Sequence, residues 1–285
     1  MKVVSTVAEL RAARRAFPSL GFVPTMGFLH EGHLTLVRAA RARMGAVACS
    51  IFVNPTQFGP NEDLSRYPRD LQRDLALLEE AGCDLVFTPA PEAVYPPGFS
   101  TRIEVDGVTA PLEGAVRPGH FSGVATVVTK LFNMVQPDAA WFGQKDAQQC
   151  AVIRRMARDL DLPVEIVVAE TVREPDGLAM SSRNVYLAAD ERQAALCLIG
   201  ALRAADAAFA DGEQDAVALR AAMSAVLAGE PMARPDYVSI ADPDSLAELD
   251  AVDGRGAVAS LAVRIGKTRL IDNLLLGEAR QKWLR

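Results

Sequence analysis

AVACSIFVN, residues 46–54, is a β-branched and apolar run that is too short for a helix and apolar enough to be a buried central strand. The segments around it repeat a pattern. Upstream, GFVPT (21–25) reads as a strand end, followed by a helix over about His33–Met44. Downstream, RDLQRDLALLEEAG (69–82) is helical and stops at Gly82, a residue suited to the position after a helix end. DLVFTP (84–89) then reads as strand, VATVVTKLFNMV (124–135) as helix and AAWFG (139–143) as a short strand. DAQQCAVIRRMARDL (146–160) follows as helix and VEIVVAE (164–170) as strand. This alternation predicts an α/β fold, a Rossmann-like doubly wound parallel sheet with helices on both faces. Ligands are then expected at the carboxyl ends of the strands.

The character changes after TVREPDGLAMSSRN (171–184). Residues 190–228 are alanine-rich and helical, and 190–212 reads as one long amphipathic unit. DYVSI (236–240), GAVASLAVRIG (256–266) and TRLIDNLLLG (268–277) follow as strands. The simplest partition is a Rossmann-like domain over residues 1–174 and a smaller α+β C-terminal domain over 175–285.

The chain has 285 residues, half of them apolar, which excludes a disordered or fibrous class. A net charge of −6 and a pI near 5.2 argue against nucleic acid as a partner, because such binding needs a basic face. No apolar run is long enough to span a bilayer, and the first residues, MKVVSTVAELRAARR, lack the apolar core of a signal peptide. Cys49, Cys83, Cys150 and Cys197 are widely spaced and read as buried small residues. No membrane partner is expected, and the location expected is cytoplasmic.

Four polar stretches fall where a strand gives way to a loop or helix: PTMGFLHEGH (24–33), FVNPTQFG (52–59), WFGQKDAQQ (141–149) and DGLAMSSRN (176–184). The first holds two of the three histidines, His30 and His33. With a helix starting near Glu31, both imidazoles lie at its first turn, where free N–H groups and the helix dipole favour an anion. That combination suits a polyphosphate. A metal remains an alternative, although HxxH spacing differs from HExxH, and His120 would have to complete the set through the fold. Purely structural histidines are the third reading. Lys145 would neutralise a phosphate, and Asp146 would cap a helix or meet a ribose. Ser181, Ser182 and Arg183 pack two hydroxyls and a guanidinium into one loop, as a phosphate clamp would. Gln57 and Gln149 offer neutral amides for a hydroxy acid, or are simply exposed glutamines. Neither GxGxxG nor GxSxG occurs, and the GKT at 266–268 lacks the upstream glycine of a P-loop.

Taken in order, PTMGFLHEGH, IFVNPTQF, RPGHFSGV, FGQKDAQQ and TVREPDGLAMSSRN closely resemble the pantothenate synthetase (pantoate–β-alanine ligase) family, within the nucleotidyltransferases with HIGH-type motifs. The resemblance covers about Val23 to Leu187. It implies a two-step reaction: ATP and pantoate give pantoyl adenylate and pyrophosphate, and β-alanine then displaces AMP to give pantothenate. By the same resemblance Met26, Gly27, Phe28, Leu29, His30, Glu31, Gly32 and His33 would line the ATP site, with His33 the proton donor. Gly143, Gln144, Lys145 and Asp146 would complete it with Met180, Ser181, Ser182 and Arg183, and Val172 would border the adenine. His33, His30, Lys145 and Arg183 are the catalytic candidates. Gln57 and Gln149 would hold pantoate, with Gln57 near β-alanine. Mg²⁺ is implied mostly on phosphate oxygens, with no metal ligand assigned in the protein. A homodimer is implied as well.

Two departures stand out. The family usually has GEKD where this chain has Gly143-Gln144-Lys145-Asp146, and adjacent acids where it has Arg73-Asp74. The alternative function is a nucleotidyltransferase acting on a phosphorylated acceptor, which would need cations where Gln57 and Gln149 stand. A nucleotide-binding or metal-sensing module without turnover is a third possibility. An aminoacyl-tRNA synthetase is disfavoured by the short, acidic chain. The second domain is expected to close as a lid, because an acyl adenylate must be kept from water.

Overall fold

The computed structural model describes residues 1–60, 62 and 64–284. Six strands pair in parallel: β1 (Lys2–Val4), β2 (Gly21–Thr25), β3 (Val47–Ile51), β4 (Leu85–Phe87), β5 (Ala139–Gly143) and β6 (Glu165–Ala169). Their order across the sheet is β1-β4-β3-β2-β5-β6. The chain therefore runs outward from β2 in one direction and later returns to its other side at β5. Successive strand residues enter opposite cores. Phe22, Ala48, Phe87, Ala140 and Phe142 share one with the helices Val7–Arg14, His120–Val135 and Ala147–Asp159. Val23, Val47, Cys49, Val86 and Trp141 share the other with Glu31–Arg43 and Leu71–Glu80. Both faces are covered, as the unbroken apolar runs required.

The register locates the crevice. β2 pairs with β3 from Gly21↔Val47 to Thr25↔Ile51, but with β5 only at Gly21↔Ala139 and Phe22↔Ala140. Beyond Phe22 the two strands part. Pro24, with no N–H to contribute, sits in the parted stretch.

A second sheet follows: β7 (Ala233–Ala241), β8 (Ala257–Ile265) and β9 (Thr268–Leu276), antiparallel in that order. Its helices are Ala189–Ala194, Leu196–Ala210 and Ala216–Ala228. The expected single helix over 190–212 is interrupted at Ala195, whose backbone stays right-handed helical. Ala189–Ala210 is long and apolar enough to cross a membrane by length and composition. Here, though, Leu198, Ile199, Leu202 and Ala205 share a core with Leu219, Met223 and Leu261. The boundary placed at 174/175 falls inside a turn that the structure closes by pairing Arg173 with Ala179. Val258, Leu275 and Trp283 reach into the core of the first sheet, so the two units share apolar packing.

Several elements went unread in the sequence, among them the helices Pro91–Val94, Glu113–Val116 and Ala279–Trp283. β1 and the helix Val7–Arg14 occupy the N-terminal stretch, and Thr6 and Glu9 form a capping box there. The Thr6 Oγ1 accepts from the Glu9 N–H at 3.2 Å, and the Glu9 carboxylate accepts from the Thr6 N–H at 3.0 Å. The helix expected from 124 begins at His120.

Candidate active site

Where β2 and β5 part, a cavity of about 240 Å³ opens at their carboxyl ends. Four of the segments in its wall follow strands, and Arg117 with the helix His120–Val135 forms a further side. The β2 loop gives Met26, His30, Gly32 and His33, and the turn after β3 gives Gln57. From β5 onward come Gly143, Lys145, Asp146 and Gln149. The last segment adds Val172, Met180, Ser181, Ser182 and Arg183. Gln57, Lys145, Asp146, Ser181 and Arg183 also border a wider cleft of about 1270 Å³ facing the small sheet. Gly27, Phe28, Leu29, Glu31 and Gln144 are turned elsewhere. Leu29 is in the core, and Glu31 is an exposed partner of Arg38.

The β2 loop is bent by a buried acid. Asp74 accepts the N–H groups of Phe28 (2.7 Å) and Leu29 (2.8 Å). This holds Gly27 and Phe28 at φ 85° and 51°, in the left-handed region. A side chain on Gly27 would meet Asp74 and Ile51 at 3.0 Å, so the bend requires glycine. With both carboxylate oxygens engaged by backbone, Asp74 acts as a strut of the loop.

His30 is the N-cap of the helix Glu31–Arg43, and its carbonyl accepts the N–H groups of His33 (2.8 Å) and Leu34 (3.2 Å). Its own N–H donates to Nδ1 of His33 at 3.3 Å. An acceptor at Nδ1 places the His33 proton on Nε2, leaving an Nε2–H donor on that ring. The two rings lie 4.1 Å apart. Burial, then the positive charge of Lys145, pushes the His30 pKa down to about 4. Burial, then His30 and Lys145, pushes His33 to about 3. Both imidazoles are neutral near pH 7. In the protein alone His33 gives a hydrogen bond and holds no surplus proton. Phosphate charge beside the rings would raise both values.

Gln57 is braced from two sides. Its side-chain oxygen accepts from the Asn54 amide (3.0 Å), and that amide also donates to the Gly123 carbonyl (3.2 Å). Asn54 is 1% exposed and takes the Tyr95 hydroxyl at 2.8 Å. His120 Nδ1 lies 2.8 Å from the Gln57 carbonyl and so donates to it, while Nε2 accepts from Arg117 at 3.1 Å. Burial, then Arg117, pushes the His120 pKa down to about 4. A Cβ on Gly123 would stand 2.5 Å from the Thr56 carbonyl, so only glycine lets the helix His120–Val135 press against this turn. His120 is thus a strut for Gln57. Among the described residues no three His, Cys, Asp or Glu side chains gather as a metal cluster.

Asn54, Asp74, Arg117 and His120 were not assigned to the site from sequence. Their signal lay in the quoted FVNPTQFG and RPGHFSGV and in the acid at 74. Gln144, the amide in the place of the family's usual acid, faces inward at 4% exposure and meets Asn273 of β9.

A family model described as Pantoate-beta-alanine ligase matches residues 2–275. The pantothenate synthetase of Herpetosiphon aurantiacus is 65% identical over 276 residues, covering 97% of this chain and 100% of that protein. The crystal structure of pantothenate synthetase from Thermus thermophilus superposes with a TM-score of 0.92 at 53% identity, covering 96% of this chain and 99% of the other. The Francisella tularensis pantoate-β-alanine ligase, complexed with β-γ ATP and β-alanine, has a TM-score of 0.79 at 34% identity over 96% and 97% of the chains. A match spanning nearly the whole chain, at these identities and with this fold, makes the chain a member of the pantoate–β-alanine ligase family.

Proposed function

We propose that this chain condenses pantoate with β-alanine at the expense of ATP, through pantoyl adenylate. The observation that carries the chemistry is the convergence of His30, His33, Lys145 and Arg183 on one cavity that also holds Gln57 and Gln149. In the first step a pantoate carboxylate oxygen attacks the α-phosphorus of ATP and the bond to the β-phosphate bridging oxygen breaks, releasing pyrophosphate. In the second the amine nitrogen of β-alanine attacks the acyl carbon, the bond to the AMP oxygen breaks, and the amine proton goes to solvent. Neither step needs a covalent enzyme intermediate. The protein's task is to orient the reactants and stabilise charge as it builds on phosphate oxygens.

In this reading the Nε2–H of His33 and the cations Lys145 and Arg183 face the phosphates, while Ser181 and Ser182 offer hydroxyls. Val172 borders the base. Gln57 and Gln149 receive pantoate through neutral amides. Mg²⁺ would travel on the phosphate oxygens with its own waters, because among the described residues the cavity wall offers only the carboxylates Asp146 and Glu170. The ion would neutralise phosphate charge when bound. A homodimer and a cytoplasmic location belong to the same reading. Light scattering giving twice the chain mass of 30.5 kDa supports the dimer, and a single mass removes it.

The deciding experiment is pyrophosphate release from ATP and Mg²⁺ with pantoate, with and without β-alanine. Release that requires pantoate, plus AMP and pantothenate once β-alanine is added, is the expected result. No pantoate-dependent release from folded, ATP-binding protein would overturn the reading in favour of a phosphorylated acceptor.

A further inference from the structure

Strand β9 sends three polar side chains across to the first sheet, and each ends on a segment of the cleft. Arg269 makes a two-pronged pair with Glu113 (2.7 Å each), and Glu113 lies 3.9 Å from Arg117, the partner of His120. Asp272 pairs with both terminal nitrogens of Arg173 (2.7 and 2.9 Å), the residue after Val172. Asn273 reaches the turn that carries Lys145. Its amide nitrogen donates to the carbonyls of Gln144 (3.0 Å) and Lys145 (2.9 Å), and its oxygen accepts from the Gln144 side-chain amide (3.0 Å).

The third contact has a forced orientation. Two backbone carbonyls can only accept, so the nitrogen of Asn273 must face them and its oxygen must face Gln144. Gln144 must then present its own nitrogen. Asn273 is 2% exposed, so water does not replace a lost bond at low cost. The two carbonyls bracket the peptide from which the Lys145 side chain extends into the cavity.

We propose that Asn273 is a positioning residue for Lys145, so that the small domain sets the phosphate side of the site as well as covering it. This rests on the ligase reading, in which Lys145 meets ATP. An acid at position 273 breaks the arrangement: Asn273→Asp puts a carboxylate oxygen against two carbonyls.

The test compares the full-length wild type with Asn273→Ala and Asn273→Asp. It measures pantoate-dependent pyrophosphate release, the KM for ATP, the reaction of preformed pantoyl adenylate with β-alanine, and Tm. Displacing Lys145 is expected to weaken adenylate formation, through kcat or the KM for ATP, by roughly ten- to a hundredfold. The β-alanine step should stay within about twofold of wild type. Asn273→Asp, which keeps the size and shape of the side chain, should show the same split if Asn273→Ala does not fold. Unchanged adenylate formation in the folded variants overturns the proposal, whatever happens to Tm. Equal slowing of both steps also overturns it, because that marks general damage. A wild type without pantoate-dependent release would instead refute the ligase reading on which the proposal stands.

Discussion

The carboxyl end of β2 and the seam beneath β9 are both polar and largely shielded, yet the charged and amide side chains of the seam are paired while a histidine of the cleft is not. At the seam Glu113 meets Arg269, Asp272 meets Arg173 and Asn273 meets Gln144, each through at least two hydrogen bonds. At the end of β2 the Nδ1 of His30 is buried with no hydrogen-bond partner, and two neutral imidazoles lie 4.1 Å apart, tilted to each other, at a helix N-terminus. Buried polar groups are nearly always paired, so an unpaired one beside a cavity marks a place where binding, more than stability, shaped the side chains. The seam holds geometry, and the cleft keeps donors available. Substitutions in the two regions should therefore fail in different ways.

The largest effect is expected at the cleft. His33→Ala removes the Nε2–H donor and should slow adenylate formation by roughly 10²–10³-fold. A single-turnover measurement checks this, and an unchanged rate would remove His33 from the chemistry. At the Glu113–Arg269 pair of the seam, which does not hold the Lys145 peptide, the loss should be in stability. Glu113→Ala strips the two-pronged partner from Arg269, which keeps Asp236 at 2.6 Å, and should cost about 3 kcal/mol in urea unfolding. A loss below about 1 kcal/mol would mean that the seam behaves like ordinary surface pairing.

A third test titrates both regions. His30, His33 and His120 have pKa values of about 4, 3 and 4, against 6.5 for a free imidazole. As pH falls, the unfolded chain takes up these protons first. Stability is therefore full above 6.5 and is lost progressively as pH drops towards the folded values. Tm followed from about pH 8 to about pH 5 should show that decline, and His120→Asn should make it shallower. A wild-type Tm that is flat across this range would contradict the buried neutral imidazoles. The smallest effect belongs to Glu31, which lies in the histidine motif but faces Arg38 and solvent. Glu31→Gln should change stability by no more than about 0.5 kcal/mol and leave kcat/KM unchanged. A marked kinetic loss would return this residue to the ATP site.

Most strands were readable because each is a short apolar run bounded by a turn or helix signal, and β3 is the clearest case. β1 was missed because its three residues, KVV, are too few to show a period, although T-V-A-E at 6–9 carries the capping-box pattern. In the site, the polar stretches at strand ends were visible, since polarity directly after a buried strand is a local signal. The struts were not. Asp74 lies in an ordinary amphipathic helix pattern and His120 follows a glycine turn, and nothing local says that one holds two backbone amides and the other a carbonyl.

The same division runs through the whole protein. The parallel sheet, the family resemblance and the set of segments that meet at the cleft are legible in the chain alone, because periodicity and motif order are properties of neighbouring residues. It took the packed fold to part β2 and β5 beyond Phe22 and to turn Glu31 and Gln144 away from the cavity. It also took the fold to bring Asn273, more than 120 residues from Lys145, to the peptide on which that lysine stands. Hydrogen bonds between residues so distant along the chain leave no periodic trace, and the direction a side chain takes at a strand end is set by what packs against it.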